Sequence, residues 1–130
     1  MFDGIPFGAP PAALEARGAP ARKNINSLGE TEYCFREVVF RFVADKFVEA
    51  SFETPPQMDI NGEIVPFTEL LNFMKERDPA FFEALGFGVA PALGLAYDLE
   101  HDGSWTTAFV EGRWDKIKDK ANKRMQRTRR

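Results

Sequence analysis

Apolar residues recur at every second position through residues 31–53, on a series that includes Val38, Phe40 and Phe42. This alternation is typical of β-strands, and Ala44-Asp45 supplies a turn between two of them. We predict a three-stranded antiparallel meander whose second strand is central, because both of its faces are largely apolar.

Helical signals occur at three places. Pro11–Gly18 has a proline where a first helical turn tolerates one and a glycine where a helix ends. Phe67 to Met74 places apolar residues at the i, i+3, i+4, i+7 spacing of a helix with one buried face. Asp78-Pro79 has the form of a cap followed by a first-turn proline, which predicts another short helix through Leu85.

The rest of the chain predicts loops and further strands. Residues 23–30 have the pattern of a loop. Asn61-Gly62 fits a two-residue hairpin turn, because both residues accept positive φ. Residues 87–111 return to strands, with a turn at His101–Gly103. This order favours an α+β fold, in which an antiparallel sheet of meanders and hairpins packs against two or three helices on one face.

Composition bounds the protein class. The chain has 130 residues, of which 44% are hydrophobic, enough for a single domain over residues 1–115 with a core that needs no disulfide or metal. No apolar stretch approaches a membrane span, and the first residues lack a basic start followed by an apolar run. We therefore expect a soluble cytoplasmic protein with no membrane partner.

Charge is unevenly distributed. Residues 116–130 carry eight basic residues and one acid, a net charge of +7, whereas residues 1–115 carry −10. The basic tail has few large apolar residues and is predicted to be disordered. An acidic body repels nucleic acid and favours basic protein partners or cations, so nucleic acid is expected to bind only nonspecifically, through the tail.

Few residues offer catalytic or metal chemistry. The chain has one histidine, His101, and one cysteine, Cys34. A zinc site needs three or four such ligands, so zinc binding is excluded. Cys34 fits a buried packing role in a strand. Asp98–Gly103 resembles the start of a calcium loop, but Phe109 stands where a bidentate Glu is needed. No cofactor, metal or catalytic residue is predicted.

Strand carboxylates and aromatic residues leave alternatives open. A pair for acid–base chemistry could come from Glu37, Glu49 and Glu53, although a solvated face is the commoner role of such residues. The 13 phenylalanines indicate either a phenylalanine-built core or an aromatic-lined cavity. The candidate ligand-binding residues for such a cavity are Phe42, Tyr97 and Trp105.

The first 53 residues resemble a small repeat found in two protein families. Gly8-Ala9-Pro10, Leu14 and Gly18-Ala19-Pro20 precede the predicted meander from Tyr33 to Phe52. This order is similar to the repeat shared by outer-membrane assembly lipoproteins of the SmpA/OmlA type and β-lactamase-inhibitor proteins. The resemblance implies a binding scaffold rather than an active site.

The end of the chain carries a second resemblance. Residues 121–129 read ANKRMQRTR, which looks like a translated recombination site at the end of an integron gene cassette. The resemblance implies a bacterial protein encoded on a mobile element, and it implies nothing about the activity of the body.

These observations lead to two functional hypotheses and leave open whether the protein is an enzyme. The acidic body and the scarcity of catalytic residue types favour a non-catalytic protein-binding module, similar to an immunity or inhibitor protein. The alternative is a small-molecule binder or minor enzyme whose aromatic pocket takes a small apolar ligand. The partner is unknown, and a homodimer is compatible with either hypothesis.

Overall fold

The computed structural model describes residues 2–115, and the chain divides into two compact units. The first unit contains the described residues up to Glu53 together with Thr107–Val110. The second contains Thr54–Thr106 and the described residues from Glu111 onward. The predicted basic tail, residues 116–130, lies outside the described residues.

The first unit is built on antiparallel strands. Their order across the sheet follows the chain, and the last strand, β10, lies beside β4. β10 contributes its first two residues to the second unit and the others to the first. The strands are β1 (Arg22–Ile25), β2 (Thr31–Cys34), β3 (Val38–Val43), β4 (Lys46–Glu53) and β10 (Trp105–Phe109).

The predicted meander is confirmed as β2, β3 and β4, with β3 in the middle and the turn at Ala44-Asp45. The loop predicted for residues 23–30 is wrong at its start, where β1 pairs antiparallel with β2. The sequence Arg22–Ile25 has no apolar alternation, so pairing with β2 and polar side-chain contacts, rather than burial of one face, hold this strand.

The apolar face of β2–β4 is covered by the N-terminal segment. Pro11–Arg17 forms a short 3₁₀ helix whose Leu14 is buried. Backbone hydrogen bonds from Gly8 N–H to Phe47 O, and from Phe47 N–H to Ala9 O, fix the segment to β4. The core of this unit consists mainly of aromatic and branched residues: Ile5, Leu14, Val38, Phe40, Phe42, Phe47 and Ala50.

The second unit combines one helix with strands in hairpins. A 3₁₀ turn (Phe67–Glu69) leads into α1 (Leu70–Arg77), which buries Leu70 and Met74 as the helical spacing predicts. The strands β9, β8 and β7 lie next to one another in that order. The strands are β5 (Gln57–Ile60), β6 (Glu63–Pro66), β7 (Phe82–Ala84), β8 (Phe87–Ala90) and β9 (Leu95–Asp98).

The α+β class is confirmed, but the number of helices is not. The described residues contain two short helical segments, Pro11–Arg17 and Phe67–Arg77. The helix predicted through Leu85 is wrong: Phe82–Ala84 is strand β7, which pairs with β8. The Asp78 carboxylate caps no following helix and instead accepts the backbone N–H groups of Ala80 and Ala92.

None of the described helices is both long enough and apolar enough to span a membrane.

Candidate functional site

The three predicted ligand-binding residues occupy different environments. Phe42 is fully buried in the first unit, where its ring contacts those of Tyr33 and Phe47. Tyr97 and Trp105 belong to the second unit, Tyr97 half-buried and Trp105 exposed. The aromatic pocket that would combine them therefore stays a prediction, whereas the phenylalanine-built core is present in the first unit.

A polar network crosses the other face of the first unit. Arg41 on β3 lies between two carboxylates: its Nε donates to Glu32 Oε2 at 2.8 Å and its Nη1 to Glu49 Oε2 at 2.9 Å. The same Nη1 donates to Ser51 Oγ at 2.7 Å, and Ser51 Oγ lies 3.0 Å from Thr107 Oγ1. The side chains sit on adjacent strands because the register places Arg41 opposite Glu32 and Glu49.

This network perturbs the pKa of one carboxyl group. Burial raises the pKa of Glu32, but hydrogen bonds from Asn24 and Arg41, together with the charge of Arg41, lower it by more. The pKa of Glu32 therefore lies below its ordinary value, and the group stays ionised in the folded protein. Three of the five N–H donors of Arg41 are occupied, by Glu32, Glu49 and Ser51, and a guanidinium held in this way between strand carboxylates favours a structural role.

The thiol and the other strand acids show no catalytic grouping. Cys34 is buried, and its Sγ lies 3.6 Å from Asn24 Oδ1. Glu37 and Glu53 are exposed, whereas Glu49 is buried against Arg41. One of the three glutamates considered for acid–base chemistry is therefore held in a buried ion pair, and the other two face the solvent.

The loop after β9 holds the only histidine. Asp98 Oδ2 lies 2.8 Å from His101 Nδ1, while Asp98 Oδ1 accepts the N–H groups of Glu100 and His101. The Asp98 carboxylate therefore organises the turn itself. Among residues 2–115, no group of three or more His, Cys, Asp or Glu side chains is placed to hold a metal ion.

The ring of Tyr97 packs against the same loop, at Gly103. A Cβ on Gly103 would lie 2.4 Å from the Tyr97 ring, so the ring packs directly on the glycine backbone, which has φ of +73°. Burial raises the pKa of Tyr97, and the nearby charge of Asp102 raises it further. The phenol is therefore held in its neutral form.

Sequence reasoning missed the turn that joins β7 to β8. Leu85 and Gly86 form this two-residue turn, both with positive φ (54° and 82°). Leu85 is 63% exposed. Gly86 is the sequence signal for this turn. Because Asp78-Pro79 has the form of a helix start, however, Gly86 fits the end of that helix as well as it fits a hairpin turn.

Acidic charge is concentrated in residues 54–106, which form the larger part of the second unit. Residues 54–106 carry nine acids and two bases, a net charge of −7, whereas residues 1–53 and 107–110 carry eight acids and six bases, a net −2. Both bases of residues 54–106 have contacts. Arg77 forms a bidentate pair with Glu63, and the Lys75 ammonium lies 5.9 Å from the Phe81 ring centroid.

No protein-family model, curated protein or solved structure matches this chain. The two resemblances noted for residues 1–53 and 121–129 therefore stay predictions.

Proposed function

We propose that the protein is a non-catalytic protein-binding module, of the kind that immunity and inhibitor proteins represent, and that its second unit docks on a basic partner. The observation that carries this proposal is the acid excess of residues 54–106. A surface of one charge sign attracts an oppositely charged partner, speeds association and disfavours acidic competitors.

The exposed acids of this unit are available for such a partner. Within residues 2–115 no ion pair holds Glu69, Glu76 or Glu83, and all three side chains are exposed. The only two bases of residues 54–106 already contact Glu63 and Phe81. An incoming Lys or Arg would therefore meet carboxylates without having to displace an ion-pair partner from among residues 2–115.

The test compares two triple variants of equal net charge. The full chain is used to capture proteins from a lysate, and each captured protein is purified and titrated against the variants. Glu69→Gln with Glu76→Gln and Glu83→Gln should weaken binding of a basic partner by about tenfold or more. The matched triple in the first unit, Glu15→Gln with Glu37→Gln and Glu53→Gln, should change it by less than about twofold.

Two results would contradict the proposal. Equal losses in the two triple variants would mean that only total charge matters, which is nonspecific attraction. Capture of no basic protein by the native chain, at any salt concentration that keeps it folded, would also exclude a basic partner.

A second candidate is acid–base chemistry at the Asp98–His101 pair. The observation that favours it is the ring geometry: Asp98 holds Nδ1 of His101 while the imidazole stays 67% exposed. A carboxylate that fixes one ring nitrogen leaves the other available to a substrate. If a hydrolytic or proton-transfer activity is found in a substrate screen, His101→Asn should abolish it; activity that survives this change would exclude the pair.

A further inference from the structure

An apolar side chain stands at the tip of the β7–β8 hairpin in a backbone conformation that leucine avoids. Leu85 has φ of 54°, and its side chain is 63% exposed. For an L-residue other than glycine, asparagine or aspartate, this left-handed conformation costs roughly 1–2 kcal/mol. The exposed side chain recovers little of that cost by packing.

The β5–β6 hairpin of the same unit shows what this turn ordinarily contains. Asn61 and Gly62 have φ of 52° and 87°, nearly the same pair of values as Leu85 and Gly86. Asn-Gly is the preferred sequence for a two-residue turn with positive φ at both positions. Leucine therefore occupies the position where the neighbouring hairpin uses the favourable asparagine.

Two carboxylates lie close to the turn that contains the leucine. Glu83 is exposed two residues earlier on β7. The side chain of Glu100 lies against the turn, since a Cβ on Gly86 would be 2.6 Å from Glu100 Oε1. The Leu99 N–H also donates to Gly86 O at 2.9 Å, which fixes this loop to the turn. The tip thus combines one projecting apolar group with an acidic border.

We propose that Leu85 is the anchor of the protein-docking surface, and that it enters an apolar patch bordered by Lys and Arg side chains on the partner. This inference rests on the proposed function and names the part of the second unit that makes the central contact. Interfaces commonly place an apolar anchor at the centre and charged groups at the rim. Backbone strain that the fold retains without a packing benefit is characteristic of residues kept for function.

Exposure alone does not distinguish Leu85, because single exposed apolar residues are common on protein surfaces. Ile64 provides the matched control. It lies in the same unit, on β6, and is 58% exposed, but it is a strand residue without positive φ. A surface effect that depends only on apolar exposure would be equal at the two positions.

The experiment uses the full chain and a synthetic amphipathic helical peptide, with leucines on one face and lysines along both borders. Leu85→Asn should weaken peptide binding by at least about tenfold, whereas Ile64→Asn should change it by less than about twofold. Leu85→Asn should at the same time raise Tm, because it installs the Asn-Gly turn already present at Asn61. Leu85→Gly, in which the glycine also accepts positive φ, should likewise weaken peptide binding and raise Tm.

Three other outcomes would contradict the anchor role of Leu85, and one of them would also contradict the proposed function. Suppose that the native chain binds the peptide and that the triple variant of Glu69, Glu76 and Glu83 weakens this binding. If Leu85→Asn then leaves peptide binding unchanged, the assignment of Leu85 as the anchor is wrong while the proposed function stands. A fall in Tm for both Leu85 variants would mean that the leucine is a packing residue, which also overturns the anchor. If the native chain does not bind the peptide at low salt, both proposals fail.

Discussion

Asp78 Oδ2 accepts a hydrogen bond from the backbone N–H of Ala92 at 2.7 Å, across 14 residues of sequence. Its other oxygen, Oδ1, accepts the N–H of Ala80 at 2.8 Å. Asp78 is only 1% exposed. A buried carboxylate thus joins the end of α1 to the segment between β8 and β9, and both of its oxygens have a donor.

Replacing Asp78 by Asn should destabilise the second unit severely. An amide turns one of the two acceptors into an NH₂ group, which would face a backbone N–H and leave it without an acceptor in the interior. We expect a loss of about 2–4 kcal/mol in the free energy of unfolding, measured by urea denaturation. Glu76→Gln, an exposed change on α1, should stay within about 0.5 kcal/mol of the native protein. An unchanged urea midpoint for Asp78→Asn would contradict the proposed role of the carboxylate.

Substitution of Gly62 should destabilise the protein through backbone strain alone, without any steric clash of the new side chain. Its φ is +87°, and a Cβ at this position would meet no atom within 4 Å. Gly62→Val should therefore lower Tm through backbone strain, since a β-branched residue resists positive φ. Gly62→Asn should lower it less, because asparagine tolerates the left-handed region. Thermal unfolding followed by circular dichroism measures both, and equal losses would mean that strain is not the cause.

Stability towards acid should depend on Glu32. Its pKa is lower in the folded protein than the ordinary value of 4.5. Its contribution is therefore fully present above about pH 4.5 and is lost as the pH falls through the folded pKa. Glu32→Gln should reduce the free energy of unfolding at neutral pH, and the difference from the native protein should shrink below about pH 4.5. Glu37→Gln, an exposed change in the same unit, should alter the free energy of unfolding at neutral pH by no more than about 0.5 kcal/mol.

The elements that the sequence predicts well are those with a strong local signal. The meander follows from the two-residue period around Phe40, and the β5–β6 turn from Asn61-Gly62. The buried stripe of α1 follows from the spacing of Leu70 and Met74. In each case local propensity and burial point to the same structure, so no distant contact decides the outcome.

The elements that the sequence predicts poorly depend on distant partners. Asp78-Pro79 has the local form of a helix start, but the Asp78 carboxylate bonds to Ala92, which no local pattern reveals. Leu85-Gly86 lacks the usual hairpin sequence, so this turn was missed together with the candidate docking residue. Strain of this kind breaks the local rule by which turns are recognised, so functional positions are among the hardest to find from sequence.

Alkaline pH should destabilise the protein through Tyr97. Burial and the charge of Asp102 raise the pKa of its phenol above 10.0. The contribution of the neutral phenol is therefore fully present below the unfolded value, near pH 10, and is lost as the pH rises through the folded pKa. Tyr97→Phe should remove this part of the alkaline destabilisation, as measured by urea denaturation at a series of pH values.

A spectroscopic titration separates the two causes of this shift. The chain has two tyrosines, so the ultraviolet titration of Tyr97→Phe gives the curve of the other, and subtraction from the native curve isolates Tyr97. Asp102→Asn should move the Tyr97 titration to lower pH, because it removes a negative charge that opposes phenolate formation. The Tyr97 titration should still lie above pH 10, since burial against Gly103 remains the larger cause. A Tyr97 titration at the ordinary value in the native protein would mean that the ring is not buried on this loop.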